Sequence, residues 1–227
     1  MQAEIKILSG GAMQGLLAES VPLFERNAGR KVAIEIGLTS ALRKAIAGGA
    51  AFDLALLPRP DIDALAGEGR IAVDGGADIA RSAIGVAVKA GASKPDISTV
   101  DAFKRAVLRA ATVTYSDGPS GLYIAGLMER LGLAEALKPK LRLTTGPVAE
   151  LLARGEAELG LQQIVAILPV KGAELVGPLP GELQNVIVYA AGISSGSANS
   201  AGARAFVRFM AEPQVAVIIR SKGLEPA

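Results

Sequence analysis

Three short stretches hold the residues whose types and spacing could bind or transform a small molecule: Gly10-Gly11-Ala12-Met13, Gly37-Leu38-Thr39-Ser40 and Ser116-Asp117-Gly118-Pro119-Ser120-Gly121. Each sets glycines or hydroxyls between an apolar run and a segment with helical spacing. A helix that opens on such a turn leaves its first backbone N–H groups without acceptors, and small residues let an anion approach them. The implied chemistry is donation to a negative group from Gly11, Ala12, Met13, Thr39, Ser40, Ser116, Ser120 and Gly121. Two arginines and two amides extend the set. Arg59 follows the apolar run 52–57 and carries a planar fork suited to a carboxylate, Arg81 precedes the run 84–88, and Gln162 and Gln163 can each donate and accept.

The sequence has no cysteine and no histidine. Thiol nucleophiles, disulfides, the usual zinc sites and Ser-His-Asp triads are therefore excluded, and no metal, cofactor or catalytic residue is assigned. Moving a proton between carbons would fall to Asp117 on its turn, Lys44 on a helix, or Tyr123 with a lowered pKa. Tyr115 and Tyr123 otherwise read as packing residues with phenol tips at a rim.

The elements that must position these residues follow from periodicity. Strands are predicted at 5–8, 31–36, 52–57, 84–88, 113–115, 141–143, 159–163 and 186–191, and helices at 13–24, 41–47, 61–69, 100–110, 122–131, 148–154, 201–210 and 213–221. Thr39 or Ser40 is read as one N-cap and Ser98 or Thr99 as another. Gly75-Gly76 is read as a loop, and 173–183 as extended and turn-like. Strands separated by helices imply right-handed crossovers and a ligand crevice outside the carboxyl ends of the strands. The fold class is α/β: two Rossmann-like lobes with parallel-rich sheets joined by two crossing strands. Residues 1–83 with 190–227 form lobe I and 84–189 lobe II, with the ligand cleft between them and hinge closure over it.

With 227 residues, 50% hydrophobic and 20% charged, the chain can bury a sizeable core as a soluble globular protein. A net charge of +2 without a basic run argues against nucleic acid, and 4% aromatic content without tryptophan argues against a stacking platform. No apolar run approaches the roughly 20 residues of a membrane span, so no membrane insertion is expected. The first strand begins almost at Met1, so either the chain starts natively in the cytoplasm or it is a mature secreted chain carrying an added methionine.

The order of elements, the Gly10-Gly11-Ala12-Met13 turn, Ser40-Ala41-Leu42-Arg43 before Ala47-Gly48-Gly49-Ala50-Ala51-Phe52-Asp53, the Pro119-Ser120-Gly121-Leu122-Tyr123 turn and Leu159-Gly160 together resemble type II periplasmic binding proteins of the molybdate-binding class. The resemblance covers essentially the whole chain. It implies ligand capture between two lobes and delivery to the permease of an ATP-driven (ABC) importer by a periplasmic monomer. In molybdate binders serine hydroxyls, backbone amides and a tyrosine hold the oxyanion. By position Ala12 stands where the first hydroxyl is expected, Ser40 matches the second, Ser120 lies at the third turn and Gln163 replaces the tyrosine. With Arg59 added, the residues lean toward a small organic carboxylate, with molybdate or tungstate as the alternative. Some proteins resembling this class are isomerases of unsaturated tricarboxylic acids, such as aconitate isomerase, which keeps an enzyme reading open. The effector-sensing part of a transcriptional regulator is a third class, and it would need an attached DNA-binding segment.

Overall fold

The computed structural model describes residues 4–227, and the reading of Met1 as a native or added start lies outside them. Strand β1 (Ile5–Gly10) is buried along nearly its whole length, as expected of an inner strand covered on both faces. A single 3-10 turn, Gly11–Met13, leads into α1 (Gln14–Ala28), which buries Leu16, Leu17, Ser20, Val21 and Phe24 at helical spacing. Then come β2 (Val32–Gly37), α2 (Thr39–Ala47), β3 (Leu54–Pro58), α3 (Arg59–Gly67), β4 (Ile71–Ser82) and β5 (Ile84–Lys89).

The next stretch holds α4 (Val100–Arg109), β6 (Val113–Ser116), α5 (Pro119–Arg130), α6 (Ala134–Leu137), β7 (Leu141–Thr144), α7 (Val148–Arg154), β8 (Leu159–Gln163), α8 (Ile164–Ile167) and β9 (Ala173–Pro178). The chain closes with β10 (Ile187–Ser194), α9 (Ser200–Met210), α10 (Pro213–Ser221) and β11 (Glu225–Pro226). Thr99 caps α4 as expected, its hydroxyl accepting from the Ala102 N–H at 3.1 Å.

Two compact units result: residues 1–81 with 187–227, and residues 82–186. The first is built on a six-stranded sheet in the order β11-β4-β10-β3-β1-β2, the second on a five-stranded sheet in the order β7-β6-β8-β5-β9. β1 runs parallel to β2 and β3, and β6 parallel to β7 and β8. β10 is antiparallel to β3, and β5 is antiparallel to β8 and β9. In the first unit Phe24 of α1 meets Phe206 of α9 edge-on at a centroid distance of 5.0 Å and Phe209 at a tilt at 5.4 Å, a cluster that ties α9 to α1. The second unit has its own apolar core around Phe103, Val107, Val113, Ile124 and Leu161.

Gly75-Gly76 is the main departure from the expected elements. Both lie inside the twelve-residue β4. A Cβ at Gly75 would stand 3.0 Å from the Ala72 carbonyl oxygen and 3.1 Å from Ile193 Cβ, so the glycine marks a close approach within the sheet, to its own strand and to β10, rather than a turn.

Candidate functional site

In the first unit, the register of β1 sets Gly10 beside Gly37 of β2 and Ser9 beside Leu56 of β3, so the carboxyl ends of three parallel strands stand in a row. Gly10 precedes the 3-10 turn with extended backbone and no side-chain cap, leaving the N–H groups of Gly11, Ala12 and Met13 at the edge. The next helix begins two residues earlier than expected. Leu38 is its N-cap in extended backbone, while Thr39 and Ser40 form the first turn, so their hydroxyls lie alongside uncapped N–H groups instead of capping them. The Thr39 hydroxyl oxygen lies 3.2 Å from where a Gly10 Cβ would stand, which joins the two turns into one polar edge.

Arg59 opens α3 at the end of β3. Its Nε donates to Asp63 at 2.8 Å and its Nη1 to Asp78 of β4 at 2.8 Å. Asp78 first and Asp63 second push the guanidinium's pKa up, so the carboxylate fork expected for a ligand is turned onto the protein's own carboxylates. Arg81 is exposed on β4, paired in register with Glu225 of β11. Tyr189, which the sequence reading treats only as a strand residue, sits opposite Pro58 at the start of β10, bringing a buried tyrosine to the same edge. Only the antiparallel pairing of β10 with β3 reveals it.

In the second unit, Ser116 of β6 and Thr144 of β7 are register partners at the carboxyl edge. The Asp117 N–H donates to the Thr144 carbonyl at 3.1 Å and the Thr144 hydroxyl accepts from Gly146 at 3.0 Å, which fixes both turns. α5 starts at Pro119, three residues before the expected start, with Gly118 as N-cap and no side-chain cap. The Leu122 N–H makes the first intrahelical bond to Gly118 at 2.9 Å, and proline has no N–H, so the open donors are those of Ser120 and Gly121. Gly121 is there because a Cβ would overlap the Ser116 carbonyl.

Gln162 and Gln163 end β8 as expected, but the Gln162 Oε1 accepts the Val148 N–H at 3.1 Å and so caps α7. Gln163 is the N-cap residue of α8. Among the proton-transfer candidates, Tyr123 donates its hydroxyl to the Leu183 carbonyl at 3.0 Å and stacks under Arg130, while Asp117 and Lys44 are exposed. Burial first, and the Glu129 charge second, push the Tyr115 phenol up, which disfavours a tyrosinate. Among the described residues no group of His, Cys, Asp and Glu could hold a metal ion, and no helix is long and apolar enough to cross a membrane.

The sequence profile of the bacterial extracellular solute-binding protein family matches residues 5–225. The chain belongs to this family. An aconitate isomerase from a Pseudomonas species is 34% identical to this solute-binding protein over 98% of the chain and 87% of its own length. The periplasmic molybdate-binding protein of Azotobacter vinelandii superposes with a TM-score of 0.77 at 20% identity, covering 98% of this chain and 99% of its own. The sulfate-binding protein of Mycobacterium tuberculosis H37Rv superposes at 0.74 with 15% identity, over 100% of this chain and 88% of its own. At such identities the structures show the fold alone, the two-lobe α/β fold of type II periplasmic binding proteins.

Proposed function

We propose that this solute-binding protein captures a small organic carboxylate outside the cytoplasm for an ABC importer, using donors at its carboxyl-edge turns. The observation that carries this reading is the pair of polar edges: uncapped N–H groups of Gly11, Ala12 and Met13 beside Thr39 and Ser40 in one unit, and those of Ser120 and Gly121 beside Ser116 in the other. Several fixed N–H and O–H donors suit a ligand with more than one carboxylate, because each oxygen needs its own donor once water is removed. The whole-length relative, whose name makes an unsaturated tricarboxylate its substrate, supports that ligand class over molybdate or tungstate.

Thermal unfolding with cis- and trans-aconitate, molybdate, tungstate and sulfate tests the reading. A true ligand at 100 times its Kd adds about 2.7 kcal/mol to the folded state. The expected result is stabilisation by the carboxylates, with Thr39→Ala and Ser120→Ala each weakening binding about tenfold through loss of a hydrogen bond to a charged group. Stabilisation by molybdate alone would replace the carboxylate with an oxyanion.

The same relative favours a second reading, turnover of the bound acid. Isomerisation needs a group that moves a proton between carbons, and Asp117 and Lys44 are the exposed candidates. Chromatographic conversion of trans- to cis-aconitate, lost in Asp117→Asn or Lys44→Met, would establish it; unchanged aconitate after long incubation would leave capture alone.

A further inference from the structure

The chain passes between its two compact units twice, after Arg81 and after Val186. Close to both passages stands Gln184, whose side-chain amide takes the place of a strand residue. On one flank of β5, Ile84 is the register partner of Gln163 in β8. On the other flank the pairing with β9 reaches only Gly85, opposite Pro178. The Leu179 N–H still donates to the Ile84 carbonyl at 3.0 Å, and after Pro180 the chain turns away into the 3-10 turn Gly181–Leu183. Gln184 closes the gap: its Oε1 accepts the Ile84 N–H at 2.7 Å and its Nε2 donates to the Ile84 carbonyl at 3.0 Å. A primary amide carries the same kinds of donor and acceptor as a peptide group, so it can finish this end of the ladder.

The same amide is held in place by its own surroundings. Oε1 also accepts the Asn185 N–H at 3.0 Å, Nε2 donates to the Leu179 carbonyl at 3.4 Å, and the Gln184 N–H donates to the Gly181 carbonyl at 3.2 Å. Leu183 before it is buried, and its carbonyl accepts the Tyr123 hydroxyl at 3.0 Å. Residues 84 and 184 are a hundred positions apart, yet both belong to the 82–186 unit. Beyond this junction only Ala83 separates β4 from β5, and only Asn185 and Val186 separate Gln184 from β10. We infer that Gln184 is a clamp that makes the two connecting segments move as one on the 82–186 side, so that the chain bends only at Ala83 and at Asn185–Val186. Bending in proteins is absorbed by a few residues at the ends of elements, and a rigid junction beside them keeps it out of the strands. The clamp does not depend on which ligand the protein takes.

One oxygen holds both the Ile84 and the Asn185 amides, so a single opening of the Gln184 side chain frees the two together. Native-state hydrogen exchange on the full chain is expected to give these amides correlated protection. Gln184→Met, which keeps the length and removes donor and acceptor, is expected to speed exchange at both about tenfold and to leave the interior of β5 and β8 unchanged. Gln184→Glu, which keeps the acceptor alone, is expected to fall between the two proteins. The bending is read separately. The chain has no cysteine, so Asn27→Cys in α1 and Arg105→Cys in α4, both exposed, place one spin label in each unit. The distribution of distances between the labels is expected to broaden in Gln184→Met. Unchanged exchange at Ile84, or a response at only one of the two amides, would overturn the clamp. Lost protection with an unbroadened distribution would overturn its part in confining the bending.

Discussion

Gly121 and Gly11 are both glycines beside an open N–H group, yet only one of them is sterically required. A methyl group at 121 would overlap the Ser116 carbonyl, which is backbone and has nowhere to go, whereas nothing lies within 4 Å of a methyl group at 11. Gly121→Ala is expected to cost about 3 kcal/mol, the upper range for forced overpacking, and Gly11→Ala less than about 0.5 kcal/mol. Urea unfolding of the two variants checks the contrast, and a tolerated alanine at 121 would mean that α5 does not pack so closely on β6. Nothing in the two local sequences distinguishes these glycines. The candidate donors at Ser120 and Thr39 are legible as residue types, but the pairing of Arg59 with Asp78 is not, because Asp78 reaches it from β4, nineteen positions away.

At the scale of elements, the joint between α1 and β2 depends on one carboxylate. Gly29, at φ 60°, ends the helix in the left-handed conformation that glycine takes without strain. Glu25 then accepts the Val32 N–H at 2.9 Å and the Lys31 ammonium at 3.2 Å, which starts the strand at the correct residue. The Val32 N–H first, and Lys31 second, hold its pKa below the ordinary 4.5. A carboxyl whose pKa is depressed on folding stabilises the fold above its unfolded value and loses that contribution as pH falls through the folded one. Glu25→Gln is therefore expected to melt below the unsubstituted protein at pH 7, with the gap closing as the pH is lowered past 4.5. A gap unchanged in acid would show that the carboxylate's charge is not the cause. Elements with strong periodicity, such as α7, β8 and α10, occupy the expected residues. β4 is not legible because its two glycines imitate a turn, and Ile193, which crowds a Cβ at Gly75, is more than a hundred residues distant.

For the whole molecule, the two units differ in how the chain builds them. The second is continuous, residues 82–186, and contains its entire sheet and, among the described residues, its apolar clusters around Phe103 and around Leu152. The first needs both ends of the chain, since β10 pairs with β3 and β11 with β4. A fragment of residues 82–186 is expected to unfold cooperatively on heating, whereas a chain ending at 186 should retain that transition and lose the other. Calorimetry of the two truncations checks this, and a non-cooperative 82–186 fragment would show that its core is insufficient alone.

The sequence by itself determined the alternation of strands and helices, the glycine and hydroxyl turns that open α2 and α5, and the exclusion of thiol and imidazole chemistry. Those properties are local or compositional, carried by periodicities of two and 3.6 residues and by which residue types are absent. Tertiary structure alone decided that Gln162 caps α7, that Arg59 pairs with Asp78, that Tyr189 reaches the carboxyl edge of β3, and that Leu38 and Leu122 stay exposed. Each depends on a partner, or on the absence of one, set by how distant segments pack. Periodicity reports which side of an element is apolar; only the assembled sheets decide what that side meets.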